Sequence, residues 1–336
     1  MQKKIIVLII LSTFFFGSAK GVDNHKFDIA VFVPGVVDGS PTYEMMVQGV
    51  QKAVSENPNA SIKVIEGGFN QGEWQEKVMS LAATGKFKLI VTSNPAMPEI
   101  CAVVSEAYPN QKFLLLDGYM EGNKNIHTFR FNQTEQAFLS GYFGAMVSSS
   151  GMPGTEDGVK LGLIAGQEYP DMNLSILPGF KKGAEYKNSG ASVDFRVIGN
   201  WYDATKAAEL ANSMFDQGVD VILAICGGAA TGIIKAAADR GKYVLWFDSN
   251  GYSLAPGVII GCTGLAQTDL AYEKTSAAIK GKLKFGEAEF EGIAEKRVYF
   301  ITDDPVFREH VDEKMIEEIT SVQKKFMDGE LSFPMK

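Results

Sequence analysis

An α/β fold of two doubly wound lobes is what this 336-residue sequence predicts. Three observations carry that expectation. Short apolar runs rich in β-branched residues alternate with amphipathic stretches, the pattern of a parallel sheet covered by helices on both faces. The alternation occurs twice, as β-α-β-α-β-α-β before about residue 130 and as β-α-β-α-β from about 160 to 248, so one chain holds two similar halves. About 310 residues follow the N-terminal segment, and at roughly 100 to 200 residues per domain that length suits two lobes.

In chain order, Met1 to Lys4 carries two lysines, Ile5 to Phe16 is an apolar run, and Gly17, Ser18 and Ala19 are small. That order predicts a secretory signal peptide over residues 1–20, cleaved near Ala19. The apolar run is shorter than the roughly 20 residues of a membrane-spanning helix. No cysteine follows the small residues, so no lipid anchor is expected. The protein is then free outside the cytoplasm, unless an uncleaved signal tethers it to the membrane. Strands are predicted over Phe27–Val33, Ser61–Glu66, Leu89–Thr92, Lys112–Asp117, Lys160–Ala165, Ser192–Val197, Val219–Ala224, Tyr243–Asp248 and Val258–Cys262. Between them, apolar residues recur at helical spacing over Thr42–Asn57, Gln71–Thr84, Pro98–Tyr108, Thr134–Ser149, Leu177–Ser189, Ala204–Gly218 and Ala229–Arg240. Ser148 to Gly158 reads as a surface loop.

The 40 acidic residues outnumber the 32 basic ones for a net charge of −8, and no Lys/Arg cluster appears, which argues against a nucleic-acid partner. Cys101, Cys226 and Cys262 are widely spaced in or beside apolar segments and read as buried thiols. His25, His127 and His310 form no cluster with metal-ligand spacing, so no metal is expected. Cys226 with His127 would be a nucleophile and base across a cleft, but the core-thiol reading is stronger. No Gly-x-Ser-x-Gly elbow is present, and the chain is not expected to be an enzyme.

Ligands of open α/β sheets bind at the C-terminal strand ends. At those ends Tyr43 stands at a helix entrance in the first half and Trp201 in a pre-helix loop of the second. Two aromatic faces from opposing lobes would clamp a flat ring, although either ring can simply cover a helix end. Asp117 and Asp248 follow apolar strands at equivalent places in the two halves and supply paired acceptors, with turn formation as the plainer alternative. Asp38, Asn94, Asn132 and Asn173 are further polar candidates on strand-end loops. Gly227 and Gly228 open a helix directly after a strand, where they permit close approach of a neutral ligand; the lysine of a nucleotide-triphosphate loop is missing.

Several segments together carry a family resemblance. They are the strand-end aspartates, Phe131 to Gly141 (FNQTEQAFLSG), Leu163 to Gly166 (LIAG), Pro178 to Gly183 (PGFKKG) and Ala224 to Lys235 (AICGGAATGIIK). The chain resembles the basic membrane protein family of ABC-transporter solute receptors, which includes purine-nucleoside and riboflavin receptors, over nearly its whole mature length. The resemblance implies a type I periplasmic-binding-protein fold with three inter-lobe crossovers, placed near Phe131, Ser249 and Arg297. The first lobe would then hold residues 27–131 plus 250–296, and the second 132–249 plus 297–330, with a C-terminal helix over about His310–Met327.

By the same resemblance, Tyr43 and Trp201 match the two ring-stacking phenylalanines of nucleoside receptors, and Asp117 and Asp248 match their aspartates. Phe131, beside Asn132, joins the expected ligand set. Gln267 stands where nucleoside receptors carry a lysine, and Glu44 where they carry an asparagine. A wide aromatic face and an uncharged amide imply riboflavin as the transported ligand, with a purine nucleoside as the alternative and a nucleoside or flavin hydrolase as the alternative from another class. The implied partner is an ABC permease of the inner membrane, served by a monomeric periplasmic receptor without a cofactor.

Overall fold

A computed structural model describes residues 26–335 of the chain. The signal segment expected over residues 1–20, and His25, lie outside the described residues. The first lobe begins with β1 (Phe27–Val33), α1 (Pro41–Ser55), β2 (Ala60–Glu66), α2 (Trp74–Ala83), β3 (Leu89–Ser93), α3 (Met97–Ala107), β4 (Lys112–Leu116) and β5 (Ile126–Phe131). The chain then enters the second lobe through α4 (Gln133–Ser148), β6 (Lys160–Ala165), α5 (Leu177–Lys187), β7 (Ser192–Val197), α6 (Ala204–Phe215), β8 (Val221–Ile225), α7 (Ala230–Arg240), β9 (Tyr243–Trp246) and β10 (Ile259–Leu265). It returns for α8 (Gln267–Ile279) and β11 (Ala288–Glu291), and ends in the second lobe with β12 (Val298–Phe300), α9 (Pro305–His310) and α10 (Glu313–Met327).

The two sheets are built alike. One runs β11-β5-β4-β3-β1-β2 and the other β12-β10-β9-β8-β6-β7, so each has the inner order 2-1-3-4-5 of a doubly wound sheet. All pairings are parallel except β12 against β10. Central strands such as β3 and β8 are buried along their whole length, as helices on both faces require. That is why Leu89–Val91 of β3 and the whole of β8 read in the sequence as apolar runs.

Three segments join the lobes, at Asn132, at Ala266 and between β11 and β12. The middle one corrects an expectation. The strand beginning near Val258 was assigned to the first lobe with a crossover near Ser249, but β10 pairs with β9 and β12 in the second sheet. After Asp248 a short 3-10 turn at Tyr252–Leu254 folds the chain back beside β9, where a fully buried seven-residue strand finds partners on both edges. The chain leaves only at Ala266, and α8 then packs on α1 of the first lobe; Gly49 lets the two helices meet, since a Cβ there would lie 2.3 Å from the Thr268 carbonyl oxygen. His310, expected inside the last helix, instead ends α9, because Asp312 starts a new helix by capping the amide of Lys314.

Helix α4 carries the second lobe. Fifteen of its sixteen residues are buried, so it is a core helix without an exposed stripe. It meets α5 at backbone distance because Gly141 and Gly183 lack side chains: a Cβ on either would sit 2.0 Å from a carbonyl oxygen of the facing helix. Helix α10 lays Ile316, Ile319, Val322 and Phe326 on the same core, and the Phe326 and Phe138 rings meet edge to face at 5.4 Å. The three cysteines are buried free thiols, as their apolar settings predict.

Candidate ligand-binding cleft

The strand order reverses between β1 and β3 in the first sheet and between β6 and β8 in the second. The loops at these switch points are brought together, and their side chains define the site. From the first lobe, Tyr43 sits in the opening turn of α1, its hydroxyl 3.2 Å from the Pro34 carbonyl that it donates to and 3.3 Å from the Asn94 amide that donates to it. Burial pushes the Tyr43 phenol up to about 12, against the opposing effect of Asn94.

From the second lobe comes Trp201. Asn200 accepts hydrogen bonds from the amides of Tyr202 and Asp203, at 3.0 and 2.7 Å, and this turn throws Trp201 inward. Its ring lies on the end of β6, where a Cβ at Gly166 would be 2.5 Å from it. The Trp201 carbonyl accepts from Ala229 at 3.1 Å, so the loop is tied to the start of α7. Gly227 and Gly228 border this loop, and Gly227 has a left-handed backbone with φ 56°. Tyr169 adds a second ring on this side, its centroid 6.3 Å from that of Trp201. Tyr202 turns outward and meets Phe69 of the other lobe at 6.3 Å, so an aromatic pair bridges the cleft mouth.

Asp117 and Asp248 follow β4 and β9, the equivalent strands of the two sheets, and both have φ 70°. A left-handed aspartate is uncommon, and here two stand at matched positions of the two sheets, each just past the end of its strand. Asp248 accepts from the Gln136 amide at 3.0 Å. Asp117 Oδ1 is enclosed and has no hydrogen-bond partner. Burial pushes the Asp117 carboxyl up to about 7; Asp171 and Asp248 raise it further and Arg130 opposes. Burial likewise takes Asp248 to about 6, with Gln136 opposing. The Tyr169 phenol is raised by burial and by Asp248, Asp117, Asp171 and Tyr43, so all of these share one enclosure. Gln267, at the start of α8, is buried with its amide nitrogen 3.4 Å from Ser93 Oγ beside Asn94, and its Oε1 has no partner.

Four expected residues do not join this group. Asp38 is exposed on the loop before α1. Phe131 is core, its ring edge-on to Phe129 at 4.9 Å, because the last position of β5 faces inward. Asn132 caps α4 by accepting from Glu135 and ties down the C-terminal tail by donating to the Phe333 carbonyl at 2.8 Å, so both ends of its amide are used. Asn173 is exposed and donates to Glu168 at 3.0 Å. Glu44, in the first turn of α1, accepts from the amide of Gly39 in the loop before it. Cys226 and His127 do not pair, since His127 Nδ1 lies 2.8 Å from the Lys284 carbonyl and Nε2 lies 3.1 Å from Glu289.

Sequence reasoning missed Gln136, Tyr169, Asp171 and Arg130. Arg130 on β5 forms an ion pair with Asp171, across the lobes, and donates to Ser175 Oγ at 3.2 Å. Asp171 precedes and Ser175 lies within a π-helical turn, Met172–Ile176, and such turns concentrate at functional sites. A cavity of about 630 Å³ opens beside the aromatic group, between Pro41, Glu44 and Gln48 of α1 and Gly227, Thr231 and Trp246 of the second lobe; Tyr43, Trp201, Asp117 and Asp248 do not line it.

Two similar lobes, three crossing segments and a cleft floored by buried carboxylates and walled by aromatics are the architecture of a type I solute-binding protein. The chain belongs to the family of ABC transporter substrate-binding proteins described as PnrA-like, whose profile matches residues 26–331. It is 24% identical over 304 residues to basic membrane protein D of Borreliella burgdorferi, covering 88% of this chain and 85% of that one. Among solved structures, an ABC transporter system solute-binding protein from Aeropyrum pernix superposes with a TM-score of 0.80 at 20% identity, over 92% of this chain and 94% of the other. A transcriptional activator of the comK gene from Bacillus halodurans shares the fold with a TM-score of 0.70 at 23% identity, over 91% of this chain and 99% of the other. The family is one of extracytoplasmic substrate receptors; among the described residues no helix is long and apolar enough to cross a membrane.

Proposed function

We propose that this protein delivers riboflavin to an ABC permease, binding it between the lobes as a monomeric receptor exported by its N-terminal signal. The observation that carries this reading is that Tyr43 and Tyr169, from the two lobes, stand by the same buried carboxylates, with Trp201 beside Tyr169. A three-ring isoalloxazine supplies a flat face wide enough for more than one of these rings, and offset aromatic pairs add about 0.5–1.5 kcal/mol each beyond area burial. The imide N–H and the ribityl hydroxyls are donors, which Asp117 Oδ1, Gln136 Oε1 and Gln267 Oε1 lack. Riboflavin is cargo here, not a resident cofactor. Ligand binds one lobe, the other closes over it, and the permease reads the closed shape.

A purine nucleoside is the second reading, favoured by the two aspartates at matched positions, which suit a ribose diol and a purine N–H. The test is a titration of the purified mature protein against riboflavin fluorescence, with guanosine and inosine as competitors. Saturable quenching that nucleosides do not reverse supports the flavin reading. Absence of quenching together with calorimetric nucleoside binding replaces it with the second.

A further inference from the structure

Arg130 and Asp171 come from different lobes. Strand β5 delivers the guanidinium, and the turn after β6 delivers both Asp171 and Ser175. Arg130 donates to the Asp171 carboxylate and to Ser175 Oγ, and only 17% and 11% of the Arg130 and Asp171 side chains are exposed. Beside them, the charges that act on Asp117 are Asp171, Asp248 and Arg130. A guanidinium is the side chain best matched to a phosphate, through its fork of N–H donors. Here Nη2 of that fork is engaged by Asp171 and Ser175, and the Asp171 carboxylate offsets the guanidinium charge. The buried atoms left without partners around the cleft include the acceptors Asp117 Oδ1, Gln136 Oε1 and Gln267 Oε1. A phosphate brings only more acceptors and more negative charge, whereas hydroxyl and imide groups bring the missing donors.

We propose that Asp171 is a specificity-determining residue: by holding Arg130 it bars phosphorylated forms of the ligand and reserves the cleft for uncharged, hydroxyl-bearing ones. The inference rests on the cleft being the ligand site, and it holds for a flavin or a nucleoside alike. Replacing Asp171 by asparagine keeps the shape, removes one negative charge and leaves the guanidinium charge uncompensated for an anion to pair with.

The experiment compares riboflavin with its 5′-phosphate, and guanosine with its 5′-phosphate, on wild type, on Asp171→Asn and on the Asp171→Asn/Arg130→Gln double variant. In parallel, the melting temperature of each is followed in inorganic phosphate. Wild type is expected to prefer the unphosphorylated member of the pair it binds by about 100-fold, the scale of a juxtaposed like charge. Asp171→Asn narrows that ratio by about tenfold, the scale of one charge-assisted hydrogen bond, and gains a melting-temperature rise in phosphate. Wild type and the double variant show no such rise. The ratio is the readout, since lost lobe contact alone weakens both ligands together. Equal wild-type affinity for both members of a pair overturns the proposal, and so does an Asp171→Asn protein with an unchanged ratio and no phosphate response. If wild type binds neither pair, the ligand reading above fails, and the phosphate response of Asp171→Asn against the double variant still decides the role of Asp171. Should Asp171→Asn not fold, Asp171→Ser carries the same comparison.

Discussion

Asp117 and Asp248 concentrate the chemistry of the site. Both carboxyls sit well above the ordinary 3.8, at about 7 and about 6, because burial disfavours their charge. A carboxyl with a raised folded pKa holds its proton more tightly in the folded chain than in the unfolded one. The stabilisation is therefore complete below the ordinary value of 3.8 and is lost progressively as pH rises through about 6 and about 7. Asp117→Asn, which keeps a side chain tolerant of a left-handed backbone, is expected to shrink the fall in melting temperature between about pH 5 and about pH 8 relative to wild type. An undiminished fall would mean that Asp117 is already ionised at the lower pH. Ligand donors that pair with the ionised forms should release protons on binding near pH 6, readable by calorimetry in buffers of different ionisation enthalpy. Trp201→Ala should weaken ligand binding by about 2–4 kcal/mol, as for aromatics at buried hot spots, with a much smaller change in melting temperature. A loss of stability as large as the loss of binding would make Trp201 a packing residue. Tyr43, Trp201 and the two aspartates were readable because each lies directly after a strand or at a helix entrance. Arg130 and Asp171 were not, because their partnership spans 41 residues and two lobes, and neither segment alone signals it.

At the scale of elements, strands buried on both faces and helices with one apolar stripe were legible, and β1, β6 and β7 begin and end where the apolar runs do. Strand β5 was not, because His127 and Arg130 interrupt its pattern. Strand β10 was recognised but placed in the wrong lobe, since pairing partners are not written in a strand's own residues. The contact of α4 with α5 depends on missing side chains, so Gly141→Ala should cost about 1–3 kcal/mol by forcing the helices apart. Urea unfolding would show this as a lower midpoint at constant slope. An unchanged midpoint would mean that the two helices already separate without cost. The same experiment at Gly85, whose Cβ position is open but whose φ is 62°, separates backbone strain from crowding.

For the molecule as a whole, the inner 2-1-3-4-5 strand order repeats in both sheets, and the duplication places one aspartate and at least one aromatic of each lobe at the shared cleft. Three connecting segments then confine relative motion of the lobes to opening and closing about Asn132, Ala266 and the β11–β12 link. Phe69 with Tyr202 at the mouth and Arg130 with Asp171 deeper in are the contacts that opening must break. Small-angle scattering is expected to show the radius of gyration unchanged or smaller on ligand addition, and a larger value would contradict closure. Riboflavin fluorescence during titration with the purified mature protein tests the central claim most directly. Saturable quenching at a one-to-one ratio, weakened strongly in Trp201→Ala, is the predicted result; full fluorescence at saturating protein would contradict it.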